Sequence, residues 1–128
     1  MNPRPPRPSL LTSFRCAGRG LLDVFRTQRN FRIHLAIAAL ALLLAAWLNL
    51  PCQEWASLIL VIGTVMSTEV FNTSAEVLVD LASPEYHPLA KRVKDLAAGA
   101  VLLAAIIAVI VGLLLLGPPL WARLQGLF

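Results

Sequence analysis

The stretch Glu69-Val70-Phe71-Asn72-Thr73-Ser74-Ala75-Glu76-Val77-Leu78-Val79-Asp80 decides how this chain folds. Counted from Glu69, the residues Asn72, Thr73, Glu76 and Asp80 lie 3, 4, 7 and 11 positions on. At about 100° per residue they fall on one face of a helix, within an arc of roughly 100°. The sequence on either side is apolar enough to lie inside a membrane. There an ionised carboxylate costs roughly 2.5–3.5 kcal/mol on insertion scales. Two aligned carboxylates with an amide between them therefore need a partner: a metal ion, a cation or a proton-exchanging group. The stripe points to an enzyme or a transporter, not to a simple anchor.

The composition agrees with a membrane setting. Of 128 residues, 58% are hydrophobic and 14% charged, and the mean hydropathy is +0.74. A water-soluble domain of this size cannot bury so much apolar surface, so the expected fold class is an all-α integral membrane protein. No room remains for a globular domain outside the bilayer, and any site must be built from spans, loops and neighbouring copies of the chain.

Three spans are expected, at about residues 31–50, 54–81 and 89–116, with Trp47 and Trp55 at the outer interface. Glu69 then falls in the inner part of the bilayer, and Glu76 lies about 10 Å nearer the cytoplasm. Gly117-Pro118-Pro119 is expected to stop the last helix and leave residues 121–128 as a tail. Gly99, Ala100, Ala104, Ala105 and Gly112 offer another helix a close approach.

Residues 1–9, rich in Pro and Arg, read as a disordered tail. Residues 10–28 read as an amphipathic surface helix: Leu10, Phe14, Ala17, Leu21, Val24 and Phe25 share one face, and Arg15, Arg19 and Arg26 the opposite one. Gln28 lies in line with the apolar face. His34, at the inner end of the first span, reads as an interfacial side chain.

Seven arginines lie before or at the start of the first span, and Lys91, Arg92 and Lys94 lie at the start of the last, while the turn at 49–54 carries no basic residue. By the positive-inside rule the N-terminus and the segment 82–95 are cytoplasmic. Topology and anionic headgroups account for this basicity, so nucleic acid is not an expected partner. Cys16 and Cys52 should lie on opposite sides of the membrane, out of reach of a mutual disulfide. The chain has no Gly-rich phosphate loop of the Walker or dinucleotide type.

Lys91, Lys94, Asp95 and Ala98 share a face at the cytoplasmic mouth. The bland account is charge pairing with the acidic span. The sharper one is phosphoryl transfer, which needs a carboxylate-held metal, a cation on the phosphate and a base near the acceptor hydroxyl. Glu76, Lys94 and Glu69 supply those three types if Lys94 meets Glu76.

The run from Glu69 to Asp80, followed by SPEYHPLAKRVKDLAAGAVL and preceded by TQRNFRIH, closely resembles the prokaryotic diacylglycerol kinase/undecaprenol kinase family over about residues 13–111. The resemblance implies a homotrimer of three-span subunits in the bacterial cytoplasmic membrane. It further implies a magnesium-dependent transfer from ATP to a lipid alcohol, with composite sites shared by adjacent subunits. Carried onto matching positions, Glu69 is the general base and Asn72 supports the catalytic face. Glu76 holds magnesium, and Lys94 and Asp95 contact ATP. Glu85, Tyr86 and His87 line the nucleotide side, and Ala98 joins Glu69 on the lipid side. Gln28 stands where the family commonly has a metal-binding glutamate, and an amide oxygen is a weaker ligand for a hard cation. The wording RNFRIH and SPEYHPLAK lies nearer the undecaprenol kinases than the diacylglycerol kinases. Two other readings stand beside the kinase: a small proton or cation transporter using the carboxylates as a relay, and a non-catalytic lipid-binding subunit.

Overall fold

The computed structural model describes residues 9–126, which form four helices. The order is α1 (Leu10–Thr27), α2 (Arg29–Leu48), α3 (Cys52–Ala82) and α4 (Pro88–Gln125). There is no strand among the described residues. The expected N-terminal tail lies at residues 1–8 outside the described residues, but Ser9 is not part of it. Ser9 caps α1, its Oγ accepting the Thr12 N–H at 3.3 Å and so satisfying one of the helix's free donors.

Amphipathic α1 turns into α2 over a single residue. Gln28 is extended, with φ −96° and ψ 113°, which breaks the helical hydrogen-bond ladder. The corner is closed by Arg32, whose Nη1 donates to the carbonyls of Phe25 (3.3 Å) and Arg26 (2.9 Å). These are C-terminal carbonyls of α1 that no later amide of that helix reaches. Val24 is buried at this corner.

α2, α3 and α4 are each long and apolar enough to cross a membrane. α2 ends at Asn49 in the left-handed region (φ 54°, ψ 51°). That conformation suits asparagine better than most side chains, and it lets the Leu50 N–H return to the Ala45 carbonyl at 3.2 Å. Pro51 then starts α3 two residues earlier than expected. The 31 residues of α3 span about 46 Å, more than a hydrocarbon core of about 30 Å, so its last turns project beyond it.

α4 is longer than the sequence implied. It runs through Gly117-Pro118-Pro119 to Gln125, so the expected stop and the C-terminal tail from residue 121 do not hold. The prolines remove the amides that would reach Leu114 and Leu115, but their fixed φ is itself helical. The turns beyond them are tied to α2: the Arg123 guanidinium donates to the Trp47 carbonyl and sits 4.6 Å from the centre of the Trp47 ring.

α3 and α4 form the main packed pair, and α2 and α1 rest on it more lightly. The small apolar core lies at the Trp47 end, where Ala45, Leu50 and Leu58 meet Trp55 and Leu115. Most other large apolar side chains face outward, as lipid contact requires. The close approach expected at Gly99 and Gly112 is not made within one chain: a Cβ built at either would meet nothing within 4 Å.

Candidate active site

Glu69 and Thr73 are buried on α3 in a chain where few side chains are buried at all. Thr73 is accounted for locally, its hydroxyl donating to the Glu69 carbonyl at 3.0 Å. Glu69 is not. The residue is 3% exposed, and its Oε1 has no hydrogen-bond partner among the described residues. His34 Nε2 lies 3.8 Å from that oxygen, reaching in from α2. One turn on, Asn72 donates from Nδ2 to Glu76 Oε1 at 3.1 Å, while the Asn72 Oδ1 is buried and unpartnered.

These groups open onto a cleft of about 310 Å³ between α2, α3 and α4. Asn30, His34, Glu69 and Asn72 are its polar wall, and Ala98 and Leu102 belong to its apolar wall. A second groove of about 370 Å³ begins at the same place, since His34 and Ala105 line both. Apart from His34 its walls are aliphatic residues, Met66 and glycines, and it runs along α4 to Leu120, about 22 Å at 1.5 Å per residue. A polar pocket with free acceptor oxygens thus joins a greasy channel of lipid-chain length. The unpartnered oxygens of Glu69 and Asn72 suit a ligand that brings a hydroxyl donor or a hard cation.

The cationic groups lie nearer the α3–α4 loop. Lys94 Nζ is 2.5 Å from Asp80 Oδ1, not on Glu76 as the phosphoryl-transfer arrangement required. The antiparallel register explains this. With Asp80 level with Lys94, Glu76 is level with Ala98 and Glu69 with Ala105, so Lys94 stands about 6 Å along the helix from Glu76. Asp95 is occupied by Lys91, at 2.5 Å on the same helix. Glu85, Tyr86 and His87 are exposed on the connecting loop. His87 has a structural task there: its Nδ1 accepts the Leu89 N–H at 3.2 Å and caps α4. Gln28 is half-buried at the α1–α2 corner and makes no side-chain cap.

Among the described residues no three His, Cys, Asp or Glu side chains converge closely enough to form a metal cage. Magnesium does not need one: it binds through one or two carboxylates plus phosphates and water. Glu76, with the Asn72 amide beside it, fits that modest demand.

Asn30 and His34 also line this cleft, although neither is among the site residues expected from the sequence. They are four apart at the start of α2, the last polar side chains before an unbroken apolar run. That spacing puts them on one face of α2, the signal by which the sequence pairs them.

The fold and site define a small integral membrane protein with a buried carboxylate at the meeting of a polar cleft and a lipid-like groove. Comparison with known proteins gives the family. The family model for prokaryotic diacylglycerol kinase matches residues 15–116. The chain is 45% identical over 108 residues to the undecaprenol kinase of Bacillus subtilis (strain 168), covering 84% of this chain and 88% of that protein. It is 52% identical over 114 residues to the diacylglycerol kinase of Synechocystis sp., covering 88% of this chain and 65% of that one. It is 36% identical over 98 residues to the diacylglycerol kinase of Escherichia coli (strain K12), covering 77% and 80%. This chain belongs to the prokaryotic diacylglycerol kinase family.

Proposed function

We infer that this protein is an integral membrane lipid kinase that moves the γ-phosphate of ATP to the hydroxyl of a lipid alcohol, undecaprenol or diacylglycerol, at the cytoplasmic face of a bacterial inner membrane. One observation carries this reading: an unpartnered, buried carboxylate oxygen of Glu69 sits where the polar cleft meets the aliphatic groove. A lipid alcohol has the matching form, a hydroxyl on a long apolar body. The buried stripe was also compatible with an ion relay, but an aliphatic groove is a poor path for ions, and the family name favours the kinase.

In this mechanism the chain of the lipid lies along the groove and its hydroxyl enters the cleft. Glu69 takes the hydroxyl proton as the oxygen attacks the γ-phosphorus, and the P–O bond to the β-phosphate breaks with its electron pair leaving on ADP. Asn72 holds Glu76 through its amide, and Glu76, with Gln28 as a second, neutral donor, would hold magnesium. Lys94 leaves Asp80 for the phosphates, a move of about one helical turn for a four-carbon stem. Asp95, Glu85, Tyr86 and His87 form the nucleotide side, and Ala98 leaves room for the lipid head. Magnesium, when bound with ATP, neutralises the phosphate charge that would otherwise repel the nucleophile.

The assembly is a homotrimer whose sites take elements from adjacent subunits, with the N-terminus cytoplasmic. Its support lies on the back of α3. Leu60, Thr64, Ser67, Phe71, Ser74, Leu78 and Leu81 are all exposed and alternate by four and three residues. That is the spacing of a helix-bundle seam, and it lies opposite the carboxylate stripe.

The test is direct. Purified protein in detergent is given labelled MgATP and each lipid in turn. Labelled phosphate is expected on a lipid, and the ratio of the two rates identifies the acceptor. No transfer to either lipid would refute the reading.

A further inference from the structure

His34 is the one ionisable side chain of the cleft that the mechanism above does not use. It enters from α2, whereas the carboxylates lie on α3. Its Nε2 is 3.8 Å from Glu69 Oε1, an oxygen without a partner in a side chain almost wholly buried. The cleft they share is also lined by Asn30, Ile33 and Asn72 of α2 and α3 and by Ala98, Val101, Leu102 and Ala105 of α4, all uncharged, and Glu76, bonded to Asn72, is the further carboxylate whose charge acts on Glu69. His34 also lines the apolar groove, so it stands where the hydroxyl-bearing end of a lipid meets its chain.

A carboxylate base works best when one oxygen is claimed and the other aimed. Nothing on α3 claims either oxygen of Glu69: Thr73 spends its hydroxyl on the backbone, and Asn72 donates to Glu76. We propose that His34 is a positioning residue for Glu69, its Nε2–H donating to Oε1 so that Oε2 faces the lipid hydroxyl. The inference rests on the kinase reading. The separation is about 0.9 Å longer than an ordinary N–H···O bond of about 2.9 Å, and such bonds tighten when substrate closes a site. In the neutral imidazole that donates from Nε2, Nδ1 is the unprotonated nitrogen.

The test compares steady-state kinetics of wild type, His34→Leu and His34→Gln, with the lipid that wild type uses better. His34→Leu is expected to lower kcat about 100-fold, the loss that a misplacement of about 1 Å brings, with the lipid KM held within about twofold. His34→Gln, which restores an N–H donor, is expected to recover most of that loss. Wild-type kcat in His34→Leu overturns the proposal. So does a raised KM with kcat kept, which would make His34 a substrate contact, and so does equal loss in both variants, which would mean that a donor is not what matters.

A second measurement does not depend on those variants folding. The chain has two histidines, so the ring nitrogens of 15N-histidine protein give a simple spectrum. Glu69→Gln is expected to shift the His34 signals and leave those of His87 in place. Unchanged His34 signals would overturn the contact. If wild type itself phosphorylates no lipid, the kinase reading fails instead, and the spectrum still reports on the His34–Glu69 pair.

Discussion

Replacing Glu69 by glutamine separates what this side chain does for catalysis from what it does for the fold. The change is nearly isosteric, so it opens no cavity in the α2–α3–α4 packing. It removes a proton acceptor, and general-base contributions of about 10²–10⁴ in rate correspond to a loss of about 3–5 kcal/mol of transition-state stabilisation. The same carboxylate is a burden on the folded state. The residue is 3% exposed, its Oε1 is unpartnered, and His34 at 3.8 Å is beyond hydrogen-bond length. Leaving a buried polar atom unsatisfied costs about 1–3 kcal/mol, and more when it is charged. Glu69→Gln should therefore lower kcat by two to four orders of magnitude while Tm in detergent is unchanged or rises. The assay pairs single-turnover phosphate transfer with a thermal melt and an elution profile on the same preparation. Wild-type turnover in the variant would remove Glu69 as the base. A fall in Tm of several degrees would show that the carboxylate stabilises the empty site, with its bond to His34 already made before substrate binds.

Four further outcomes follow from the geometry. Lys94→Met should reduce kcat/KM for ATP by at least about 100-fold, as losing a charge on a transferring phosphate does. The Lys94–Asp80 pair is 38% and 66% exposed, so its loss should change stability by less than about 1 kcal/mol; a larger fall in a chemical-denaturation curve would make Lys94 a structural residue. Gln28→Glu should lower the magnesium concentration that gives half-maximal activity, and an unchanged magnesium titration would remove Gln28 from the metal site. Arg123→Ala should cost about 1–2 kcal/mol through the lost contact with Trp47, read as a lower Tm, with kcat kept because the contact lies at the opposite end of the spans from Glu69. Ser67→Arg should break the proposed α3 seam, shifting elution from the proposed trimer towards monomer with loss of activity; elution as a trimer would place the interface elsewhere.

The legible parts of this protein are those that repeat along one helix. The carboxylate stripe, the amphipathic face of α1 and the three apolar spans are periodic, and a period needs only the chain itself. The misread parts involve contacts across helices or helix ends. Gly117-Pro118-Pro119 looked like a stop because proline removes an amide, yet α4 passes through it to a turn that Arg123 anchors on Trp47. Ser9 looked like tail and is a cap.

The site divides in the same way. From the residues alone one can place Glu69, Asn72, Glu76 and Asp80 on a single face, deep in an apolar segment, and infer that something must meet them. What meets them is a matter of register between helices, which the loop at 83–87 and the corner at Gln28 set. That register gives Lys94 to Asp80 rather than Glu76, and brings His34, 35 positions away in the chain, beside Glu69. Spacing within a helix is dictated by the 3.6-residue turn. The alignment of one helix against another depends on loop geometry and side-chain packing across the gap, and only the assembled tertiary structure decides it.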